Sequence, residues 1–261
     1  MVNMFDKLSS TEIVYTKKFA QTYESNELIR FYDDTLPDMY VHNFTLIKNC
    51  VSMNAFRKLI LEELDYRRKA SSDFLRIEFN FTIKDDFLNN LPVVPLVTKY
   101  DYMYIEPKMS SYLIGNAGCT IHKALSEKVL KAGIEVDILA NKLAMGEEFA
   151  RKRIYRKSQI YKQIDSNLDL YVCDYKGIAI GNCEFMIDHN VVKIEDFDIL
   201  EDYQRKGFGT SVLKHLLEEA NTQHAEFAYL LTDNEGTAKE MYTKCGFKQA
   251  GEKTELFFKL R

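Results

Sequence analysis

Residues 204–209 combine two glycines with two basic side chains, at a place where a strand pattern gives way to a helix pattern. The preceding stretch 191–200 mixes apolar and acidic residues, and residues 209–221 repeat apolar residues at helical spacing. Glycine lets a backbone approach a ligand closely, and the unpaired N–H groups of a first helical turn attract anions. Arg205 and Lys206 add two positive charges at the same place. The segment therefore predicts a site for a phosphate-bearing ligand.

The order of residues in this segment is Gln-x-x-Gly-x-Gly. It lacks the lysine of a P-loop and the third glycine of a dinucleotide fingerprint. It resembles the pyrophosphate-binding motif of the GNAT superfamily, the acyl-CoA-dependent N-acyltransferases. Downstream, residues 238–247 read Ala-x-x-x-Tyr-x-Lys-x-Gly-Phe, which is similar to a second signature of that superfamily. The close resemblance covers residues 191–258, and a looser one extends back to a predicted hairpin at 168–185.

The resemblance implies an α+β fold of the GNAT type, with a central mixed, mostly antiparallel sheet flanked by helices. It also implies direct transfer of an acetyl group from acetyl-CoA to a primary amine of a small molecule or a protein, within a ternary complex. Many GNAT proteins carry an asparagine seven residues before the tyrosine; here Glu235 has that place and Asn234 precedes it. The cofactor-binding residues implied in this way are Ile199, Gln204, Arg205, Lys206, Gly207, Phe208, Gly209, Thr210 and Asn234.

The resemblance also implies chemical roles for Ile199 and for Tyr242. The backbone N–H near Ile199 polarises the thioester carbonyl, as a fixed donor in an oxyanion hole does. Tyr242 is the candidate general acid toward the departing sulfur. Because tyrosine has a reference pKa of about 10 and a thiol about 8.5, full proton transfer is uphill by roughly 2 kcal/mol. We therefore expect Tyr242 mainly to hydrogen-bond the sulfur; the alternative is a tyrosine packed in the core of its helix.

The acceptor amine must lose a proton before it attacks. At pH 7 a lysine-like amine with a pKa of about 10.4 costs roughly 4.6 kcal/mol to deprotonate, so a base assists. Strand alternation would place Asp196 and Asp198 on one face and Glu195 on the other. We rank Asp196 first as the base and Glu226, at the start of the next strand, second. Solvated carboxylates or charge partners of Lys193 are an equally good interpretation of these residues.

Composition limits the remaining classes. The chain has 261 residues, of which 46% are hydrophobic and 28% charged, as is ordinary for a globular protein. Its net charge of −4 gives no electrostatic case for binding nucleic acid. No apolar stretch is long enough to span a membrane, and five cysteines without a Cys-x-x-Cys pair favour reduced thiols, so we expect a cytoplasmic protein. The five histidines lack metal spacing, and we expect no metal site. Either a monomer or a homodimer is compatible with the sequence.

The GNAT resemblance leaves about a hundred residues at the N-terminus unassigned. We predict an N-terminal α+β domain at 1–135, either a degenerate GNAT-like half or an unrelated unit, and a catalytic domain at 136–261. The strands predicted outside the motifs are 40–47, 75–83, 100–106, 136–138, 168–173 and 178–186. The predicted helices are 53–69, 125–131 and 142–164, and we interpret the five basic residues at 151–157 as a solvated face.

A non-catalytic protein is the alternative from another class. The cofactor loop would support acyl-CoA binding equally well in a regulatory or interaction protein on a GNAT scaffold. Only the tyrosine and a confirmed base separate it from an N-acetyltransferase.

Overall fold

A computed structural model describes residues 3–50, 52–83, 87–88 and 91–261. Its helices are α1 (Met4–Lys17), α2 (Met53–Lys69), α3 (Glu127–Met145), α4 (Glu147–Tyr161), α5 (Phe208–Thr222) and α6 (Ala238–Lys244). Its strands are β1 (Gln21–Glu24), β2 (Leu28–Tyr32), β3 (Thr45–Ile47), β4 (Phe74–Phe79), β5 (Leu96–Ile105), β6 (Cys119–Lys123), β7 (Leu168–Tyr175), β8 (Ile178–Asp188), β9 (Val191–Ile199), β10 (Phe227–Asp233) and β11 (Lys248–Lys259).

The eleven described strands form one sheet in the order β1-β2-β3-β4-β11-β5-β10-β9-β8-β7-β6. Among them β3 runs parallel to β4 and β9 runs parallel to β10, while the other neighbours are antiparallel. The predicted α+β class, with a mixed and mostly antiparallel sheet flanked by helices, is confirmed.

The N-terminal and C-terminal parts of the chain exchange strands at the centre of the sheet. Strand β5, from the N-terminal part, lies between β10 and β11 and pairs with both. Strand β11, from the C-terminus, lies between β5 and β4. Each part of the chain thus completes the hydrogen-bonded sheet of the other, and a single strand ladder joins them.

The elements next to the sequence motifs form as their local patterns predict. Helix α5 buries five apolar residues against the sheet: Val212, Leu213, Leu216, Leu217 and Ala220. Strands β7 and β8 form the predicted hairpin, whose turn residues Lys176 and Gly177 have φ angles of 55° and 81°. Two successive positive φ angles give the twist that a tight hairpin requires.

The structure corrects the predicted elements between residues 125 and 164. Helix α3 continues past residue 131, where the predicted helix 125–131 ends, and includes residues 136–138, which we predicted as a strand. A Cβ at Gly133 would lie 2.7 Å from Leu170 Cδ2, so this glycine allows close packing of α3 on β7. The predicted helix 142–164 is two helices, because Gly146 adopts a φ of 83° between them. The predicted domain boundary at 135/136 falls inside α3, and the division into domains stays a prediction.

Two differences concern the N-terminal part. The predicted strand 40–47 begins with a 3-10 turn at Tyr40–His42, and only Thr45–Ile47 is extended. Helix α1 was not predicted, although Asn3 caps it by accepting a hydrogen bond from the N–H of Phe5 at 3.3 Å. Its inner face includes polar and aromatic residues instead of an apolar stripe, so hydrophobic periodicity does not reveal it.

Candidate active site

Strands β9 and β10 diverge after a short parallel ladder, and this splay is the centre of the candidate site. The ladder extends only from Phe227 beside Val191 to Tyr229 beside Lys193. Beyond Lys193, β9 keeps its pairing with β8 while β10 pairs with β5. A gap therefore opens in the sheet between the ends of two parallel strands.

A β-bulge in β9 changes which side chains face each side of the sheet. The register with β8 shifts between Glu195 and Asp198, and Asp196 has a φ of 44°. A bulge adds an unpaired residue and re-aims its neighbours. Glu195 and Asp196 therefore line one cavity, whereas Phe197 and Ile199 line another on the opposite face. The alternation that we predicted, with Glu195 opposite Asp196, is wrong for this reason.

The end of β9 presents a backbone donor to the gap. The N–H of Leu200 donates to the carbonyl of Ile180 on β8 at 2.9 Å. Successive residues of a strand point their N–H groups to opposite sides, so the N–H of Ile199 points away from β8 into the splay. The carbonyl of Ile199 accepts a hydrogen bond from Gln204 Nε2 at 2.8 Å. Gln204, predicted to border the cofactor, thus anchors the strand end.

The loop before α5 has the geometry of an anion cradle. Arg205 and Gly207 have φ angles of 57° and 83°, and the first turn-closing bond runs from the N–H of Ser211 to the carbonyl of Gly207 at 3.1 Å. Within the described part of the chain, the backbone N–H groups of residues 205–210 donate to no protein acceptor. These free donors, together with the helix dipole, favour a bound anion.

A second loop, which sequence reasoning missed, holds the cradle in place. The Asn116 N–H donates to the Gly207 carbonyl at 3.2 Å, and its Nδ2 donates to the Lys206 carbonyl at 3.0 Å. Ser211 Oγ donates to the carbonyl of Asn116 at 3.0 Å. A Cβ at Gly115 would lie 2.1 Å from Ser211 Oγ, so only glycine permits this approach. The Gly115-Asn116 pair was the available sequence signal, a turn dipeptide far from the motif.

A cavity of about 940 Å³ extends from the cradle to the splay. Its walls include the predicted acid Tyr242 and five of the predicted cofactor residues: Ile199, Gln204, Arg205, Gly209 and Thr210. The side chain of Phe208 is buried in the core, and Lys206 Nζ donates to the carbonyl of Asp202 at 2.6 Å. The side chains of Lys206 and Phe208 therefore do not line the cavity, and a cofactor contact through their backbone N–H groups stays a prediction.

Tyr242 lies in the wall of this cavity with 7% of its surface exposed. Its ring packs against Phe197 and Phe247 at centroid distances of 6.5 and 5.7 Å. Burial raises the pKa of the Tyr242 phenol, and the nearby Cys183 thiol adds to the shift. The hydroxyl therefore stays protonated at neutral pH and can donate a hydrogen bond.

Two predicted site residues lie away from this geometry. Glu226 directly precedes Phe227, which pairs with Val191, and it accepts hydrogen bonds from Lys7 and Asn190. The strands diverge further along β9. Ile199 lies about 26 Å along the strand from Val191, at roughly 3.3 Å per residue. Asn234 is not among the residues that line the cofactor cavity, and its N–H donates to the Lys99 carbonyl on β5 at 3.1 Å. Glu226 and Asn234 thus lie outside the residues that line the cofactor cavity, and their roles stay predictions.

A second cavity of about 870 Å³ lies on the other face of β9. Both ends of the chain line it: the N-terminal part contributes Glu12 and Tyr15 of α1, and the C-terminal part contributes Glu195 of β9. Its floor crosses the sheet at β4, β11, β5, β10 and β9. Five basic side chains in its walls are each paired with carboxylates: Arg76, Arg153, Lys157, Lys193 and Lys253.

Asp196, our first-ranked base, is held by two buried cations. Its Oδ2 accepts from Lys157 Nζ at 2.5 Å and from Arg153 Nη1 at 2.8 Å. Burial alone would raise the pKa of Asp196, but Arg153 and Lys157 outweigh it and hold that pKa well below the ordinary value. A carboxylate stabilised in this way is a poor proton acceptor, which argues against the predicted role.

The burial of Arg153 and Lys157 corrects our interpretation of the basic residues on α4. Arg153 and Lys157 are only 5% and 2% exposed, although we interpreted the basic residues of their helix as a solvated face. Arg151 and Lys152 do fit that interpretation, since they pair with Glu147 and Glu148 one turn earlier. The buried face of α4 therefore combines the charges of Arg153 and Lys157 with apolar Ile154 and Ile160.

Of the two β9 carboxylates that line this cavity, Glu195 is more exposed than Asp196. Its side chain is 33% exposed and its Oε2 lies 2.6 Å from Lys193 Nζ. Burial raises the pKa of Glu195, against the opposing effect of Lys193. Asp198, nearer the strand end, has a pKa raised by burial to about 6, and it accepts a hydrogen bond from Asn141 at 3.0 Å. A raised pKa suits a general base that works near neutral pH.

Among the described residues, no group of three or more His, Cys, Asp or Glu side chains is arranged to hold a metal ion. None of the described helices combines the length and apolar character that crossing a membrane requires.

Comparisons with known proteins indicate the family to which the chain is similar. The family model described as "Acetyltransferase (GNAT) domain" matches residues 124–256, about half of the chain. The uncharacterized N-acetyltransferase CgeE of Bacillus subtilis (strain 168) is 25% identical over 252 residues, which cover 92% of this chain and 93% of that protein. An uncharacterized N-acetyltransferase of Chlorobaculum tepidum is 27% identical over 104 residues, 40% of this chain and 64% of that protein.

Solved structures show the same fold at low sequence identity. A conserved protein of unknown function from Staphylococcus epidermidis superimposes with a TM-score of 0.77 at 19% identity, covering 92% of this chain and 94% of that one. A GCN5-related N-acetyltransferase from Kribbella flavida gives 0.72 at 12% identity, covering 99% and 96%. A tandem GNAT protein from the clavulanic acid biosynthesis pathway gives 0.57 at 9% identity, covering 88% and 77%.

Proposed function

Because the chain belongs to the GNAT acetyltransferase family, we propose that it transfers an acetyl group from acetyl-CoA directly to a primary amine. The observation that carries this proposal is the pair of cavities on opposite faces of β9. Adjacent residues of one bulged strand, Asp196 and Phe197, line the two different cavities. The gap beside that strand would bring thioester and amine together without an acyl-enzyme step.

The cofactor cavity has the features that acetyl-CoA requires. The pyrophosphate would be held by the free N–H groups of residues 205–210, with Arg205 as a cation in the cavity wall. The thioester of acetyl-CoA supplies the acetyl group. The N–H of Ile199 would donate to the thioester carbonyl oxygen where negative charge develops, a role that backbone donors fill in oxyanion holes.

Glu195 is the general base in this proposal. It lines the acceptor cavity next to the bulge, and its raised pKa improves it as a proton acceptor. It would take the proton from the ammonium form of the acceptor, directly or through one water, which offsets the cost of deprotonation. Asp196 would stay ionised between its two cations and keep α4 in place.

Tyr242 would act on the leaving group. Its phenol, kept protonated by its raised pKa, would donate a hydrogen bond to the sulfur as the C–S bond breaks. Full proton transfer is less favourable than for an unperturbed tyrosine, since a higher pKa makes the phenol a weaker acid. The role of Tyr242 is therefore stabilisation of the thiolate.

The N-terminal part resembles a second GNAT-like half in its strand connections. Strand β3, helix α2 and the parallel strand β4 follow the same order as β9, α5 and β10. Strands β5 and β11 would then be the exchanged last strands of the two halves. We propose that residues 1–135 derive from a GNAT-like unit whose cofactor loop has been lost.

An amine-dependent release of CoA tests the proposed function. The purified protein is incubated with acetyl-CoA and, one at a time, spermidine, glucosamine, tyramine and a lysine-containing tetrapeptide. Free CoA and the acetylated amine are measured by liquid chromatography and mass spectrometry. We expect both products in equal amounts with at least one amine, and a loss of about 100-fold or more in kcat for Glu195→Gln.

The matched control is Glu226→Gln, the same change at the carboxylate that lies away from the splay. It should keep wild-type turnover. Binding of acetyl-CoA without turnover of any amine would instead support the alternative, an acyl-CoA-binding regulatory protein. Equal losses in both variants would contradict the assignment of Glu195.

A further inference from the structure

Lys193 is a fully buried cation at the floor of the acceptor cavity. Only 1% of its side chain is exposed. Its Nζ lies 4.7 Å from the centre of the Tyr15 ring and 5.5 Å from that of Tyr229. Aromatic faces stabilise a cation but cannot neutralise it, so a buried lysine needs carboxylate partners.

Two carboxylates from different parts of the chain share this lysine. One is Glu195, on the same strand, at 2.6 Å. The other is Glu12 of α1, whose Oε1 accepts from Lys193 Nζ and also from the hydroxyl of Tyr229 at 2.8 Å. An ammonium group has three donors, so it can serve both carboxylates at once. Helix α1, which packs against β9, thereby delivers a negative charge to the interior of the site.

We propose that Glu12 is a positioning residue for catalysis: by holding Lys193 it keeps that lysine from binding Glu195 alone, so the Glu195 carboxylate stays available to the amine. This inference rests on the proposed function, because it assigns a task to the neighbour of the proposed base. It also gives the N-terminal part of the chain a role in catalysis, in addition to its structural role.

The charges around Glu195 determine in which direction its pKa should shift when the charge of Glu12 is removed. Burial raises the pKa of Glu195, Lys193 lowers it, and Glu12 and Asp196 raise it. Without the charge of Glu12, Lys193 would turn wholly to Glu195, and the pKa of Glu195 would fall. The other titratable or charged groups near this cluster are Tyr15 on α1, Tyr102 on β5, Arg153 and Lys157 on α4, Cys183 and Glu184 on β8, Tyr229 on β10 and Tyr242 on α6.

The test is Glu12→Gln, which removes the charge and keeps the shape. Protein labelled with carboxyl-¹³C glutamate is titrated by NMR, and the Glu195 signal is assigned from its absence in Glu195→Gln. We expect the pKa of Glu195 to fall by about 1 unit, the lower end of the effect of a neighbouring charge. The acid limb of the pH profile of kcat/KM, measured with the most active amine of the panel, should move down by the same amount.

Two further variants separate a positioning role of Glu12 from a purely structural one. Lys7→Ala weakens the docking of the same helix by removing its surface pair with Glu226, at 2.6 Å, without changing charge in the cavity. It should leave the Glu195 titration and the pH profile unmoved. If Glu12→Gln does not fold, Glu12→Asp retracts the carboxylate by one methylene and should lower the Glu195 pKa by a smaller amount.

Three outcomes would overturn the proposal. An unchanged Glu195 pKa in Glu12→Gln would show that Lys193 does not couple the two carboxylates. A shifted pKa with an unshifted acid limb would show coupling at a residue that is not the base. A wild-type protein that turns over no amine would refute the proposed function itself, and the positioning role would fall with it even if the NMR shift is found.

Discussion

Replacement of Asp196 by asparagine should damage the fold more than the chemistry. The change removes the charge that faces Lys157 Nζ at 2.5 Å and Arg153 Nη1 at 2.8 Å, both on buried side chains. Removal of one partner from a buried ion pair costs about 3–5 kcal/mol. Arg153 keeps Asp137 and Lys157 keeps Glu184, so we expect the lower end, about 3 kcal/mol of unfolding free energy.

The pH dependence of this loss has a definite sign. Arg153 and Lys157 outweigh the effect of burial and depress the pKa of Asp196 in the folded state. A group with a depressed folded pKa contributes stability that is complete above its unfolded pKa, about 3.9 for aspartate, and lost as pH falls toward the folded value. The difference between wild type and variant should therefore be present at neutral pH and shrink below about pH 4.

Urea denaturation followed by circular dichroism measures this difference at pH 7 and at pH 3.5. Glu226→Gln is the control, because it breaks an exposed pair with Lys7 and should cost less than about 1 kcal/mol. A loss below about 1 kcal/mol for Asp196→Asn, combined with a fall in kcat of about 100-fold or more, would refute this reasoning and restore Asp196 as the base.

Three more predictions follow from the same geometry. Tyr242→Phe should lower kcat by about tenfold, because one hydrogen bond to the sulfur is lost, and should leave the KM for acetyl-CoA unchanged in steady-state kinetics. No change in kcat would assign Tyr242 to packing alone. Asn116→Ala should weaken acetyl-CoA binding about tenfold in calorimetry, because the Lys206 carbonyl of the cradle loses its Nδ2 donor and the Gly118 N–H loses its Oδ1 acceptor. A fragment of residues 106–261 should fail to melt cooperatively, since β10 and β11 both lose β5, whereas a monomeric, cooperatively melting fragment would show an independent catalytic domain.

Features set by neighbouring residues could be predicted from the sequence. Helix α5 follows from its five spaced apolar residues, and the β7–β8 hairpin follows from Lys176-Gly177. The cradle at 204–209 depends on two glycines and the start of a helix, all within six residues. Local periodicity and turn chemistry are sufficient for such elements.

Features set by distant partners could not be predicted. The bulge at Asp196 depends on pairing with β8, and it alone decides that Glu195 shares a cavity with Asp196. The exchange of β5 and β11 joins strands more than a hundred residues apart. Arg153 and Lys157 looked solvated because their carboxylate partners lie on other elements, and Asn116 is ninety residues from the cradle carbonyl that it holds.

Titration of acetyl-CoA against the intact protein by calorimetry tests the central claim most directly. The blocking variant is Gly209→Leu, because a Cβ at this position points toward the cavity-lining atoms Met241 Sδ at 3.4 Å and Phe197 Cζ at 3.6 Å. The control is Glu218→Leu, which places the same side chain on the exposed face of α5. The account predicts micromolar binding that Gly209→Leu abolishes and Glu218→Leu retains. No binding to the intact protein, or equal binding by Gly209→Leu, would contradict it.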